Sequence, residues 1–381
     1  MPKVNERKVV LIAALDWGLG HATRCIPLIR YMIQLDFEVI IAAEGAQAAL
    51  LRQEFPGLRM VLLKGYRLKY GRSESGTLVK ILAQIPKILT AIKSEKRWLA
   101  GFLRNNQVDF IISDNRYGFR HPEVPSAFIT HQLRIKSPWG RLSEKILRQL
   151  NYRFIRKFDE CWIPDYPGEE NLGGELSHPS RLPPVPVKYL GALTRFQNTG
   201  GRQTNDLLIL LSGPEPQRSI LEDIMLEELK DYTGKAVLLR GLPGGRHPLP
   251  EGRHSLPDFA GIRFYNHLPT HRLNELINES AVVLSRPGYT TVMDMAALGK
   301  KCIFIPTPGQ TEQQYLAETL GRKSYCLYFK QEVFSLKQAL EEIRTAGLQP
   351  FGLPETGGGF MDAISCFAQK EKRPVPGSRC P

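Results

Sequence analysis

The 381-residue chain is 42% hydrophobic and 23% charged, a balance that can bury a core and excludes wholesale disorder. Its length exceeds the roughly 250–300 residues that one core serves, so two or three domains are expected. The formal net charge of +13 favours anionic partners without choosing among nucleic acid, acidic lipid and phosphorylated small molecules. In chain order, the first predicted strand is Val9–Ala14. It lies within the longest apolar run, Val9 to Leu15, which is far short of the about 18 residues that span a bilayer, so no membrane crossing is expected. Asp16, Trp17 and Gly18 follow where a secretory signal would place small residues, which supports a strand instead. A helix over Arg24–Leu35, a strand at Glu38–Ala43, a helix at Gly45–Phe55 and a strand at Arg59–Leu63 come next. A long helical region, Thr77–Arg104, is expected to break at Pro86, and strands follow at Val108–Ser113, Ser126–Thr130 and Glu160–Ile163. Continuous apolar strands between helices point to a parallel sheet covered on both faces.

The proline-rich segment Ser177–Pro186 suits a semi-rigid linker, after which the alternation restarts. Strands are expected at Leu207–Leu211, Ala236–Leu239, Ile262–Tyr265, Ala281–Leu284 and Cys302–Pro306. Helices are expected at Ile220–Lys230, Arg272–Asn278 and Thr290–Leu298, and a last one from about Phe360 to Lys370. The expected architecture is therefore α/β, two Rossmann-like doubly wound domains facing a central cleft. Residues 1–176 form the N-terminal domain, 177–205 a linker leading into a strand, and 206–356 the C-terminal domain. A helix over 357–370, after the Gly357-Gly358-Gly359 hinge, could cross back to the first domain, and 371–381 is a frayed tail. The six cysteines are scattered with no C-x-x-C pair, so neither a disulfide framework nor a metal site is expected and a reducing cytoplasm is the default. The charge is uneven: residues 1–176 hold 27 Lys+Arg against 18 Asp+Glu, the rest 24 against 20.

Ligands of open α/β sheets bind at the carboxyl ends of the strands. The first such turn, Asp16-Trp17-Gly18-Leu19-Gly20-His21, follows strand one directly. Gly18 and Gly20 allow close approach, and the helix start favours an anion or oxyanion. The turn is not G-x-G-x-x-G, so NAD binding loses support. His21 stands at its mouth, either as a reactive imidazole or as a polar cap. Strand four ends at Ser113-Asp114-Asn115-Arg116; Asp114 can orient an imidazole, or it caps the next turn. His131, after strand five, is a third polar group at that edge, or a satisfied near-core histidine. In the second half, Ser285-Arg286-Pro287-Gly288-Tyr289-Thr290-Thr291 ends a strand and starts a helix, where free N–H groups and two hydroxyls suit a diphosphate. Asp294, one turn on, can accept both hydroxyls of a ribose, and Gln313-Gln314 can reach a sugar ring. Ordinary helix capping is the alternative for Thr290 and Asp294.

The stretches S-R-P-G-Y-T-T-V-M-D-M-A-A-L-G and I-P-T-P-G-Q-T-E-Q-Q-Y resemble the donor-binding signature of the bacterial N-acetylglucosaminyl transferases that complete the peptidoglycan lipid precursor. They are similar, more distantly, to UDP-glycosyltransferases acting on lipids and plant metabolites, and G-L-G-H-A-T-R at Gly18–Arg24 resembles the first loop of that superfamily. The resemblance implies a GT-B glycosyltransferase with a glycosyltransferase family 28-like C-terminal domain. The acceptor would sit on the N-terminal domain and a nucleotide sugar, UDP-linked in those families, on the other. It further implies that Gly288, Tyr289, Thr290 and Thr291 form the phosphate turn, that Asp294 replaces a ribose-binding Glu, and that Gln313 and Gln314 contact the sugar. His21 takes the general-base position and Asp114 that of its supporting acid. Ser212-Gly213 falls where the family has another glycine loop, although Pro214-Glu215-Pro216 departs from its small residues. Arg240, Leu268 and Arg286 complete the expected donor side; Gly18, Gly20, Asn115, Arg116 and His131 make up the acceptor side.

The implied reaction is inverting single-displacement transfer of a hexose-type sugar, needing neither metal nor other cofactor. The basic stretch Arg134 to Lys157 holds eight Lys+Arg against one acid, Glu144. It reads either as a surface for anionic membrane or a lipid-linked acceptor, from the cytoplasmic face, or as a solvated helix whose Ile146, Leu147 and Leu150 lie in the core. Arg67, Lys69, Tyr70 and Arg72 form a second basic loop beside the acceptor cleft. Rival readings are a nucleotide-sugar hydrolase or 2-epimerase of the same fold, a catalytically silent donor-fold protein, and a nucleic-acid binder, which no signature supports.

Overall fold

A computed structural model describes residues 7–67, 84–137, 139–213, 215–242, 259–351, 353 and 359–370. Strands β1 (Val9–Ala14), β2 (Glu38–Ala43), β3 (Arg59–Leu62), β4 (Phe110–Asp114), β5 (Ser126–Ile129), β6 (Glu160–Ile163) and β7 (Val187–Tyr189) build one sheet in the order β3-β2-β1-β4-β5-β6-β7. A second sheet has the order β10-β9-β8-β11-β12-β13. It comprises β8 (Asn205–Leu210), β9 (Ala236–Leu239), β10 (Ile262–Tyr265), β11 (Ser280–Ser285), β12 (Lys301–Phe304) and β13 (Leu327–Tyr328). Every pairing in both sheets is parallel, so each strand returns through a crossover, and the chain order reverses next to β1 and next to β8. The expected α/β architecture of two doubly wound sheets is what the chain adopts.

The helices of the first half are α1 (Gly20–Gln34), α2 (Gly45–Glu54), α3 (Ile85–Leu103) and α4 (Arg141–Ile155). Those of the second are α5 (Gln217–Glu228), α6 (Thr270–Asn278), α7 (Tyr289–Ala297), α8 (Thr311–Arg322), α9 (Leu336–Thr345) and α10 (Gly359–Phe367). Among the described residues no helix is long and apolar enough to cross a membrane. The central strands are apolar because both faces are covered: all six side chains of β1 are buried, with α1 on one face and α3 on the other. Helices α8 and α9 and strand β13 were not expected, and two further stretches differ from expectation. Pro86 does not break a helix but begins one, since a proline in the first turn loses no helical hydrogen bond; residues 77–83 of the expected region lie outside those described. The segment read as a linker delivers β7, whose three half-buried residues extend the first sheet.

Helix α10 lies on the first sheet, where Phe367 packs edge-on against Phe110 and Trp162 and Phe360 against Tyr31. Gly359 is required there: a Cβ would stand 2.8 Å from the Tyr189 carbonyl oxygen. The carboxyl edges of the two sheets face one another. Thr290 Oγ1 of α7 donates to the Gly20 carbonyl (3.1 Å), Thr311 Oγ1 of α8 to that of Lys136 (3.1 Å), and the Glu175 N–H to Tyr315 Oη (2.8 Å). Glu54 accepts from the Thr270 N–H and hydroxyl. A Cβ on Gly20 would meet Thr290 Oγ1 at 3.0 Å, so glycine permits this approach of α1 to α7.

Candidate active site

The turn between β1 and α1 projects from the middle of the first sheet. Gly18 has φ of 81°, a left-handed conformation that glycine adopts without strain, and its carbonyl accepts from Gln47 Nε2 (2.9 Å). Asp16 is not part of the reactive group, because its carboxylate accepts the N–H groups of Tyr66 and Arg67, each at 2.7 Å. His21 and Arg24, three residues apart on α1, share one helix face and both reach Asp114 at the end of β4.

Asp114 is fully buried. Arg24 grips it with two bonds, Nε to Oδ2 at 2.8 Å and Nη2 to Oδ1, while His21 Nδ1 lies 3.2 Å from Oδ1. Burial alone would raise the Asp114 carboxyl, but Arg24 and His21 outweigh it and hold it far below the usual carboxylate range. Arg24 Nη2 also approaches His21 Nδ1, at 2.9 Å. A guanidinium only donates, so Nδ1 either carries a proton and gives it to Asp114, or is bare and accepts from Arg24. Only the first state leaves Nε2 with the lone pair a base needs. Burial lowers the imidazole pKa, and the charge of Arg24 adds to this against the pull of Asp114, so His21 is neutral at pH 7.

The network continues across the cleft. Arg24 Nη1 donates to His131 Nδ1 (3.0 Å), which leaves the proton of a neutral His131 on Nε2, 2.6 Å from Glu312 Oε1 on α8. The second Glu312 oxygen accepts from Gln132, and the His131 ring stacks on Tyr289 of α7 with centroids 4.1 Å apart. Arg24, Gln132 and Glu312 are not among the residues expected from sequence; the signals were the His21-x-x-Arg24 spacing and the place of Glu312 directly before Gln313.

On the donor side α7 begins at Gly288 with no side-chain cap, so the N–H groups of its first turn have no helical partner. Thr290 turns its hydroxyl to Gly20, and Thr291 is half-buried beside it. Asp294 is buried, and its Oδ1 accepts from Thr194 Oγ1 at 2.6 Å. Burial raises its pKa to about 7, opposed by Thr194 and by Arg195. Gln313 Oε1 accepts the Thr307 N–H (2.8 Å), which ties the side chain to the loop after β12, and Gln314 is half-buried next to it. Ser212 and Gly213 follow β8, with Gly213 at φ of 104°; Pro214 lies outside the described residues. Leu268 packs partly buried against the core.

Three arginines expected in the site are turned inward. Arg116 donates to Glu95 (2.7 Å) and to the carbonyls of Ala14 (3.1 Å) and Lys64 (2.7 Å), so it ties loops together and offers no exposed nitrogen to an acceptor. Arg240 is paired with Glu222 and donates to Asn266 (2.9 Å). Arg286 donates to the carbonyls of Ile305, Pro306 and Gln217 and to Gln331, and burial lowers its pKa to about 9. In each case a buried guanidinium needs carbonyl or carboxylate partners, and these contacts fix the loops that frame the cleft. Asn115, at φ of 55°, donates its N–H to Ile129 and so joins the ends of β4 and β5. Of the second basic loop only Arg67 is described, paired with Glu44; Lys69, Tyr70 and Arg72 lie outside the described residues.

Residues 261–356 match the model of the glycosyltransferase family 28 C-terminal domain. An uncharacterized glycosyltransferase of Methanosarcina acetivorans is 23% identical over 338 residues, covering 83% of this chain and 82% of that one. Among solved structures, the glycotransferase of kitacinnamycin aligns with a TM-score of 0.63 at 14% identity, over 94% of this chain and 98% of its own. MurG of Acinetobacter baumannii aligns with a TM-score of 0.53 at 14% identity, over 96% and 100%. The two facing sheets have the GT-B fold of these structures, and the second half of the chain carries a stretch that matches the glycosyltransferase family 28 C-terminal domain.

Proposed function

We propose that the protein transfers a hexose-type sugar from a nucleotide donor, UDP-linked in the families it resembles, to an acceptor oxygen with inversion and without a metal. The observation that carries this reading is the seating of His21 and the open N-terminus of α7 against one another, through the bond from Thr290 to Gly20. His21 Nε2 takes the acceptor proton as the acceptor oxygen bonds to the anomeric carbon. The bond from that carbon to phosphate breaks, and its electron pair leaves on the diphosphate, whose charge the free N–H groups and dipole of α7 stabilise. The ribose hydroxyls donate to Asp294. Calorimetric titration with UDP, GDP, dTDP and CMP tests the donor half. One nucleotide should bind at micromolar Kd, more tightly at pH 8 than at pH 6 because the carboxyl that titrates near 7 accepts with both oxygens only when ionised, and Asp294→Ala should abolish this. No binding by any of the four would remove the nucleotide-sugar reading, and free sugar released without an acceptor would point to a hydrolase.

A lipid-linked acceptor is favoured by helix α4, which is inside out. It buries Glu144 and Asn151 along with Ile155, and half-buries Leu147, while Leu142, Ile146 and Leu150 stand 73%, 51% and 49% exposed at four-residue spacing, with Trp139 56% exposed just before them. The alternative that placed Ile146 and Leu150 in the core therefore does not hold. Arg141, Lys145, Arg153, Arg156 and Lys157 flank the stripe, all exposed. Partial burial and then the charges of Lys96, Arg120, Arg153 and Arg156 lower the Lys157 pKa, a crowding that an anionic surface relieves. Each basic residue at such a surface contributes about 1 kcal/mol, and the apolar stripe adds to it. The protein should float with phosphatidylglycerol vesicles and not with phosphatidylcholine vesicles. Leu142→Glu with Ile146→Glu should cut the bound fraction about tenfold or more. Equal flotation of this variant would dispose of the membrane contact.

A further inference from the structure

We propose that Glu312 is a positioning residue through which the donor-side helix α8 sets the tautomer of His21 by way of His131 and Arg24. The inference rests on His21 acting as the base. Glu312 precedes Gln313, one of the two glutamines expected to contact the sugar, so the seating of the first turn of α8 is felt directly at its carboxylate. Its two oxygens take the Nε2 proton of His131 and an amide proton of Gln132. His131 Nδ1 is then bare and accepts Arg24 Nη1. The guanidinium is planar: with Nη1 held by His131 and Nε by Asp114 Oδ2, the direction of Nη2 is fixed, and it meets Asp114 Oδ1. Asp114 is thereby oriented to accept His21 Nδ1–H, and Nε2 is left bare for the acceptor proton.

Without the carboxylate, nothing charged holds the proton of His131 on Nε2. Among the described residues, the groups facing that ring besides Glu312 are Arg24 and His21 of α1 and the Tyr289 ring of α7. A turned or re-protonated His131 releases Nη1, and Arg24 can then swing its Nη2 onto His21 Nδ1, already 2.9 Å away. That is the tautomer with no base. The contact of Glu312 with His131 thus completes the base only when α8 is in place.

The full-length chain labelled with ¹⁵N-histidine, which has eight histidines, reads this directly, the His21 signals being assigned by their loss in His21→Gln. In the wild type His21 should be largely the Nδ1–H tautomer. Glu312→Ala should lower that share at least about twofold, and Glu312→Gln, which keeps an acceptor oxygen, should fall between. Thr311→Ala removes the neighbouring interdomain bond to Lys136 and should leave His21 unchanged, which separates this relay from domain contact in general. In transfer assays Glu312→Ala should lower kcat about 10–100-fold with donor KM within about threefold. An unaltered His21 spectrum in Glu312→Ala, or a loss confined to KM, overturns the proposal. The spectra need no substrate, so a protein that transfers no sugar would refute the proposed reaction while the relay is still judged by the tautomer.

Discussion

Replacing His21 by alanine should lower turnover about 10²–10⁴-fold, the range that a general base contributes, while nucleotide affinity should stay within about twofold. The split follows from the geometry. His21 belongs to α1 and bonds to Asp114 and Arg24, all three from the first sheet and its helices, whereas the expected nucleotide contacts lie on α7 and its preceding turn. Burial keeps the His21 pKa below its ordinary value, so in the wild type the ring is already neutral at pH 7 and the rate is level from there upward. The rate falls only on the acid side of the ordinary imidazole range, as the ring takes a proton and loses the lone pair. In His21→Ala this acid limb disappears along with the activity. Measured turnover of donor and acceptor across pH 5 to 9, with calorimetric titration of nucleotide on both proteins, checks each part. An alanine variant with wild-type turnover, or with an intact acid limb, would show that another group takes the proton.

The two sheets were legible because buried parallel strands are continuous apolar runs, and Val9–Ala14, Glu38–Ala43 and Ala236–Leu239 stand as read. The short strand Val187–Tyr189 was not, since three half-buried residues behind prolines carry no periodicity. Helix α4 misled for the opposite reason. Its apolar stripe was the usual sign of a core-facing side, and only the surrounding fold shows that Glu144 and Asn151 occupy the inner face. At the site, His21 and Asp114 could be found because Asp114 closes a strand and His21 opens the helix after one, at the edge where ligands bind. Arg116, Arg240 and Arg286 also stand at such edges, and sequence does not distinguish an arginine facing a ligand from one turned inward. That depends on Glu95, Glu222 and Gln331, brought in by other elements. The role of Glu312, inside the stretch T-E-Q-Q, was hidden for a related reason: its partners belong to the other half of the chain, and no spacing records a contact across a cleft.

Arg24→Met destabilises the protein by about 3–5 kcal/mol, because it strands a buried carboxylate instead of merely removing an ion pair. Arg24 and Asp114 are both about fully buried, and Arg24 supplies two of the bonds that hold Asp114 ionised. The wild-type carboxyl has a depressed pKa, so its contribution is full above the ordinary carboxylate range and is lost only as pH falls through the lower folded value. In Arg24→Met the balance reverses: burial dominates, the Asp114 pKa rises, and the cost is largest at neutral pH. It should shrink as pH is lowered toward 4 and protonation removes the stranded charge. Differential scanning calorimetry at pH 7 should show a transition lowered by about 10 °C, with a smaller gap at pH 4.5. Arg24→Met combined with Asp114→Asn should recover most of that loss at pH 7, since neither charge then remains unpaired. The double variant should nonetheless stay inactive, because asparagine cannot hold the imidazole as a carboxylate does. A single variant as stable as the wild type at pH 7, or a gap that widens toward acid, would mean that Asp114 finds its stabilisation elsewhere. The energy that Arg24 and Asp114 share would then be no part of how this fold holds His21 in place.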